Sequence, residues 1–119
     1  MKLAIAAAAI ALMIPAIASA EPQTWNVKSD IAGIQFTLKC AFEIADGKLS
    51  GPCTSSMDGK PVQTTGSYTD TTSEFSYDTE YQGSPIHVTY KGQMQSDGTV
   101  KGTMEAGGTE GTFTAAPGS

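Results

Sequence analysis

The sequence predicts an all-β protein, a small up-and-down antiparallel meander barrel of about eight strands, with a two-layer β-sandwich as the alternative arrangement of the same strands. Three observations lead there. Apolar and polar residues alternate with a period of two through most of the chain after Glu21, with no stretch of helical spacing. Asp-Gly, Gly-Gly and Gln-Gly-Ser breaks separate the alternating runs, so each run connects to the next by a short polar turn rather than a crossover. Finally, Gly51, Gly66, Gly92, Gly102 and Gly111 fall in phase with the apolar residues, as expected where strands coil sharply at barrel corners.

The elements follow in order. Trp25 and Val27 alternate with Thr24, Asn26 and Lys28. The plainest strand places Ile34, Phe36, Leu38, Cys40, Phe42 and Ile44 on one face and Gln35, Thr37, Lys39, Ala41 and Glu43 on the other, the pattern of a half-buried strand. Asp46-Gly47 then turns the chain into Leu49, Gly51 and Cys53, and Asp58-Gly59 leads to Val62, Thr64, Gly66 and Tyr68. After the polar tract Thr69 to Ser73 come Phe75, Tyr77, Thr79 and Tyr81. Beyond Gln82-Gly83-Ser84, Ile86, Val88, Tyr90, Gly92 and Met94 share one face, with His87, Thr89, Lys91 and Gln93 on the other. Asp97-Gly98 precedes Val100, Gly102 and Met104, and Gly107-Gly108 precedes Gly111, Phe113 and Ala115. Asp46-Gly-Lys-Leu-Ser-Gly51 is echoed by Asp97-Gly-Thr-Val-Lys-Gly102, each a turn, an inward aliphatic and an inward glycine.

Residues 1–20 are expected to be a secretory signal. Met1-Lys2 supplies a positive start, Leu3 to Ile17 carries no charge, and Ala18-Ser19-Ala20 is a small-x-small cleavage site. The apolar run contains Pro15 and falls short of the roughly 20 residues of a spanning helix, so no stable membrane anchor is expected. No cysteine lies near Ala20 to accept a lipid. The expected product is one exported domain, residues 21–119, periplasmic or secreted, and the alanine-rich signal is bacterial in style.

Both cysteines fall in that domain, where disulfides form and persist, and each is in phase with the apolar residues of its strand. A Cys40–Cys53 disulfide across the first long hairpin is therefore expected. The alternatives are two free buried thiols or a metal pair. A zinc site asks for four ligands, and His87 is the one histidine in the chain.

Seven basic residues, all lysine, face twelve acidic ones, and cleavage would remove Lys2 as well. The acidic surface excludes nucleic acid as a partner, because phosphate contacts require clustered Lys and Arg. It would also be repelled by an anionic membrane.

The segment from Val88 to Ala115, with its Tyr-x-Gly, Asp-Gly turn, aliphatic-x-Gly-x-aliphatic strand and Gly-Thr-Phe-x-Ala ending, resembles a group of small exported bacterial β-domains. Gln23-Thr-Trp-Asn-Val27, Phe36-Thr-Leu-Lys39 and Gly47-Lys-Leu-Ser-Gly51 extend the likeness over most of the chain after the signal. The group usually has Gly where this chain has Gln23, and the cysteine pair and the longer segment from Cys40 to Asp46 are further departures. The resemblance implies a lipocalin-like or avidin-like small barrel and transfers no catalytic residue.

Read for chemistry, the residues point away from an enzyme. His87 lies in outward phase, no serine sits in a Gly-x-Ser-x-Gly elbow, Asp78 and Glu80 read as an ordinary polar face, and EF-hand spacing is absent. No catalytic, cofactor-binding or metal-binding residue is assigned. Two non-enzymatic readings follow. In one, the barrel holds a small apolar or amphipathic ligand against Trp25, Phe36, Phe75, Tyr77, Tyr81 and Tyr90. In the other, the core is filled with side chains and the domain is a structural or protein-interaction module in the periplasm. Its contact surface would then be the outward face from Thr69 to Gln82, with its Tyr, Thr and acidic residues.

Overall fold

The computed structural model describes residues 22–118; the expected signal, residues 1–20, lies outside the described residues. Eight antiparallel strands form a closed barrel in sequence order: β1 (Gln23–Ile31), β2 (Ile34–Ala45), β3 (Lys48–Ser55), β4 (Pro61–Tyr68), β5 (Thr72–Tyr81), β6 (Ser84–Met94), β7 (Val100–Ala106) and β8 (Thr109–Pro117). Closure comes from β1 pairing with β8 over Trp25↔Pro117 to Ile31↔Gly111. With both edges consumed, the sandwich arrangement is set aside in favour of the barrel. Among the described residues no helix is long and apolar enough to cross a membrane.

Turn chemistry departs from the sequence expectation in an informative way. Of the three Asp-Gly pairs, Asp46-Gly47 alone forms a two-residue hairpin turn, with φ of 54° and 77°. Asp58-Gly59 and Asp97-Gly98 sit inside longer loops. In the latter, the Asp97 carboxylate accepts the Thr99 hydroxyl at 2.6 Å and the Thr99 backbone N–H at 3.0 Å, which hold its carboxyl below the usual carboxylate range. Meanwhile Ala32-Gly33, which carries no sequence signal, adopts the same two-residue geometry between β1 and β2, with φ of 52° and 82°. That turn type matches the right-handed twist of the flanking strands, and the long β1–β2 ladder imposes it on an alanine.

The apolar phase predicted for each strand is the inward face. Val27, Leu38, Cys40, Phe42, Leu49, Cys53, Phe75, Tyr77, Val88, Tyr90, Val100, Met104, Phe113 and Ala115 form one buried cluster. Cys40 and Cys53 face each other across β2 and β3 and are bonded. Gly92 and Gly102 stand opposite one another on β6 and β7. A Cβ on Gly102 would strike the Lys91 carbonyl and the Gly92 Cα, so this corner closes backbone to backbone. The glycine makes room for the neighbouring strand rather than for a side chain in the core.

One ladder is incomplete. β4 and β5 pair from Tyr68↔Ser73 to Thr65↔Ser76 and no further, while β5 stays paired with β6 to Tyr81↔Ser84. Pro61 to Thr64 therefore diverge from Tyr77 to Tyr81, leaving a slot in the wall at one end of the barrel.

Candidate functional site: two chambers divided by an aromatic layer

The middle of the barrel is filled. The rings of Phe75 and Tyr90 stack 4.7 Å apart, Phe113 meets Tyr90 edge-on at 5.0 Å, and Phe42 meets Phe75 edge-on at 5.6 Å. Such offset and edge-to-face pairs add about 0.5–1.5 kcal/mol each beyond the area they bury. A hydroxyl chain runs through the layer, Ser29 Oγ to Tyr90 Oη at 3.1 Å and Tyr90 Oη to Tyr77 Oη at 3.2 Å. It satisfies phenols that burial would otherwise penalise. Burial, reinforced by its neighbour Tyr90, pushes the Tyr77 phenol well above its ordinary range; burial also raises Tyr90, against the lowering effect of its own hydrogen bonds.

Above this layer lies the mouth, a cavity of about 520 Å³ at the end carrying the β1–β2, β3–β4, β5–β6 and β7–β8 connections. Leu38, Val88, Met104 and Tyr77 make its deep walls, with Phe36 and Ile86 higher up. Ile34, Met57 and Tyr81 line the rim and are 41–51% exposed, apolar surface that would ordinarily be buried. Asp58, Lys60 and Glu80 supply charge at the rim. Lys60 and Val62 on one side and Thr79 and Tyr81 on the other flank the slot between β4 and β5, so the cavity is reached from the side as well as the top. Its volume lies within the range of small-molecule sites, roughly 300–1,000 Å³.

Below the layer, at the end where β1 begins and β8 finishes, a second cavity of about 230 Å³ is lined by Trp25, Phe42, Phe75, Leu49, Val100 and others. No residue lines both cavities.

The six residues expected to line a ligand therefore do not share one space. Phe36, Tyr77 and Tyr81 belong to the mouth, Trp25 and Phe75 to the opposite chamber, and Tyr90 to the layer between them, fully buried and lining neither. Alternation places a side chain inside the barrel but says nothing of its height along the axis. Sequence reasoning also missed Ser29, a buried hydroxyl in inward phase beside Val27, and the rim residues Ile34 and Met57 as candidates.

His87 stands on the outer wall, where its Nδ1 lies 2.7 Å from the exposed Asp78 carboxylate on the neighbouring strand. Among the described residues no group of three His, Cys, Asp or Glu is placed to hold a metal ion. On the outer face of β5, Glu74, Asp78 and Glu80 are exposed while Tyr77 turns inward, which leaves Tyr81 at the rim as the exposed tyrosine of the Thr69 to Gln82 segment.

No family model matches the chain, and no curated protein matches it. Among solved structures it is similar to a redesigned β-barrel, mFAP1, bound to DFHBI, at 17% identity and a TM-score of 0.56, covering 82% of this chain and 94% of that one. At that identity the likeness is one of fold, a small β-barrel.

Proposed function

We propose that this protein is a non-enzymatic exported barrel that carries one small apolar or amphipathic molecule in its mouth. The observation that carries the reading is the mouth itself. An apolar cavity of about 520 Å³ is left open above a sealed aromatic floor, with Ile34, Met57 and Tyr81 exposed around it. An apolar lining that faces water is surface that a bound apolar molecule would bury, at about 25 cal/mol per Å². The rim charges Asp58, Lys60 and Glu80 suit a ligand whose polar end stays near water. The similar barrel mFAP1 holds a small molecule, DFHBI, which supports the fold's capacity for such a site. A disulfide within a barrel fits export, as does the likeness to small exported bacterial β-domains.

Native mass spectrometry of the protein after exposure to a lipid extract tests the reading. We expect a discrete adduct that disappears in Val88→Phe, which fills the mouth floor. Unliganded mass across all extracts sinks it.

A further inference from the structure

One stretch of the barrel wall leaves its backbone unpaired. The β4–β5 ladder stops at Thr65↔Ser76, with Pro61 to Thr64 on one side of the slot and Tyr77 to Tyr81 on the other. In an antiparallel strand the N–H and C=O of one residue point toward the same neighbouring strand, and those of the next residue toward the opposite one. On β4 the Tyr68 N–H donates to the Gly47 carbonyl on the β3 side at 3.0 Å, while the Thr69 N–H donates to the Thr72 carbonyl on the β5 side at 2.9 Å. Counted back along the unbroken β3–β4 register, Gln63 and Pro61 therefore turn their main-chain groups toward β5. On β5 the two-residue Gln82-Gly83 turn makes Tyr81↔Ser84 the hydrogen-bonded pair, so Thr79 and Tyr81 face β6 while Asp78 and Glu80 face the slot. Asp78 and Glu80 thus present N–H and C=O groups to the slot, and Gln63 does so from across it, with no ladder partner among the described residues.

The slot opens into the mouth, since Lys60 and Val62 on one side of it and Thr79 and Tyr81 on the other also line the cavity. Asp78 and Glu80 are two residues apart on one strand, so their main-chain groups recur at about 6.8 Å, the two-residue repeat of any extended chain. The partner that answers a row of alternating donors and acceptors along a strand edge is another extended backbone. The row is too short to seat a sheet, and Pro61, which has no N–H, stands with Lys60 at its outer end, features that discourage pairing with a foreign edge. A short peptide fits it, and the adjoining mouth takes an apolar group attached to that peptide.

We propose that the slot and the mouth form one continuous site for an acylated peptide, the acyl chain in the mouth and the first two residues lying in the slot as a short strand against Asp78 and Glu80. This assignment rests on the reading of the mouth as a ligand site and specifies the polar end of its ligand.

Backbone amide hydrogen exchange, followed residue by residue in proton–nitrogen spectra, tests it. In the free protein the amides of Asp78 and Glu80 should exchange faster than those of Thr79 and Tyr81, which pair with β6. N-octanoyl-glycylglycine dimethylamide is then compared with its sarcosine counterpart, which keeps the tail and the carbonyls but has both peptide N–H groups methylated. We expect the glycine compound to bind about tenfold tighter, as befits one or two hydrogen bonds, and to slow exchange at Asp78 and Glu80, which the sarcosine compound leaves unchanged. Val88→Phe, which fills the mouth floor, should abolish that protection. Equal affinity of the two compounds with unchanged exchange overturns the peptide assignment while leaving the mouth an apolar site. Binding of neither compound also overturns it, and the lipid-extract adduct then judges the mouth on its own. Amides of Asp78 and Glu80 as slow as those of Thr79 and Tyr81 in the free protein, or slot protection that persists in Val88→Phe, would overturn it as well.

Discussion

Phe75 and Tyr90 face each other across β5 and β6, and their rings lie 8° from parallel with centroids 4.7 Å apart. This stack, flanked by Phe113, separates the two chambers. Phe75 meets Phe42, Tyr90 and Phe113 at once.

Removing the ring should therefore cost stability and erase the division. Phe75→Ala is expected to destabilise by about 3–5 kcal/mol, the range for deleting a buried aromatic. Since domains of this size hold only about 5–15 kcal/mol in total, urea denaturation should show a large drop in midpoint. A midpoint within experimental error of the parent's would show that the ring bears no packing load.

The buried tyrosines predict an alkaline limit to stability. Both phenols are raised in the fold, Tyr77 by burial and then by Tyr90, Tyr90 by burial, so the folded protein keeps two protons that the unfolded chain releases near pH 10. The unfolded state then binds fewer protons than the native one, and stability present in full below that pH declines above it by up to about 1.4 kcal/mol per pH unit for each phenol. Denaturation midpoints measured from pH 9 to 11.5 should fall along such a slope, and Tyr77→Phe should shallow it. An identical slope in the variant would place the alkaline transition elsewhere.

At the β6–β7 corner, Gly102→Val should destabilise by about 1–3 kcal/mol or more, because its Cβ would meet the Lys91 carbonyl and the Gly92 Cα, backbone atoms that cannot rotate aside. The neighbouring exposed Thr103→Val serves as control and should stay within about 0.5 kcal/mol. Equal melting temperatures for the two variants would contradict the backbone contact.

Reduction of Cys40–Cys53, a separation of 13 residues, should lower stability by about 3 kcal/mol through release of the loop constraint on the unfolded chain. The melting temperature with and without reductant measures it directly. The intact mass should also be lower by two hydrogen atoms than that of the reduced chain; detection of two free thiols in the native protein would remove the staple.

What the sequence determined by itself is the inside and the outside. Period two put Leu38, Cys40 and Phe42, or Val88 and Tyr90, on one face, because the pleat leaves a strand no other choice. The in-phase glycines and short turns carried the reading from strands to a barrel, and the position of the disulfide followed from the same phase. Height along the barrel axis, the split of the β4–β5 ladder and the turn at Ala32-Gly33 were decided only by the tertiary structure. Those depend on how far each strand is staggered against the next when the sheet closes, a property of eight strands together that no single run of residues encodes. That is why Trp25 and Tyr81, both inward in sequence, stand at opposite ends of the molecule beside two different chambers.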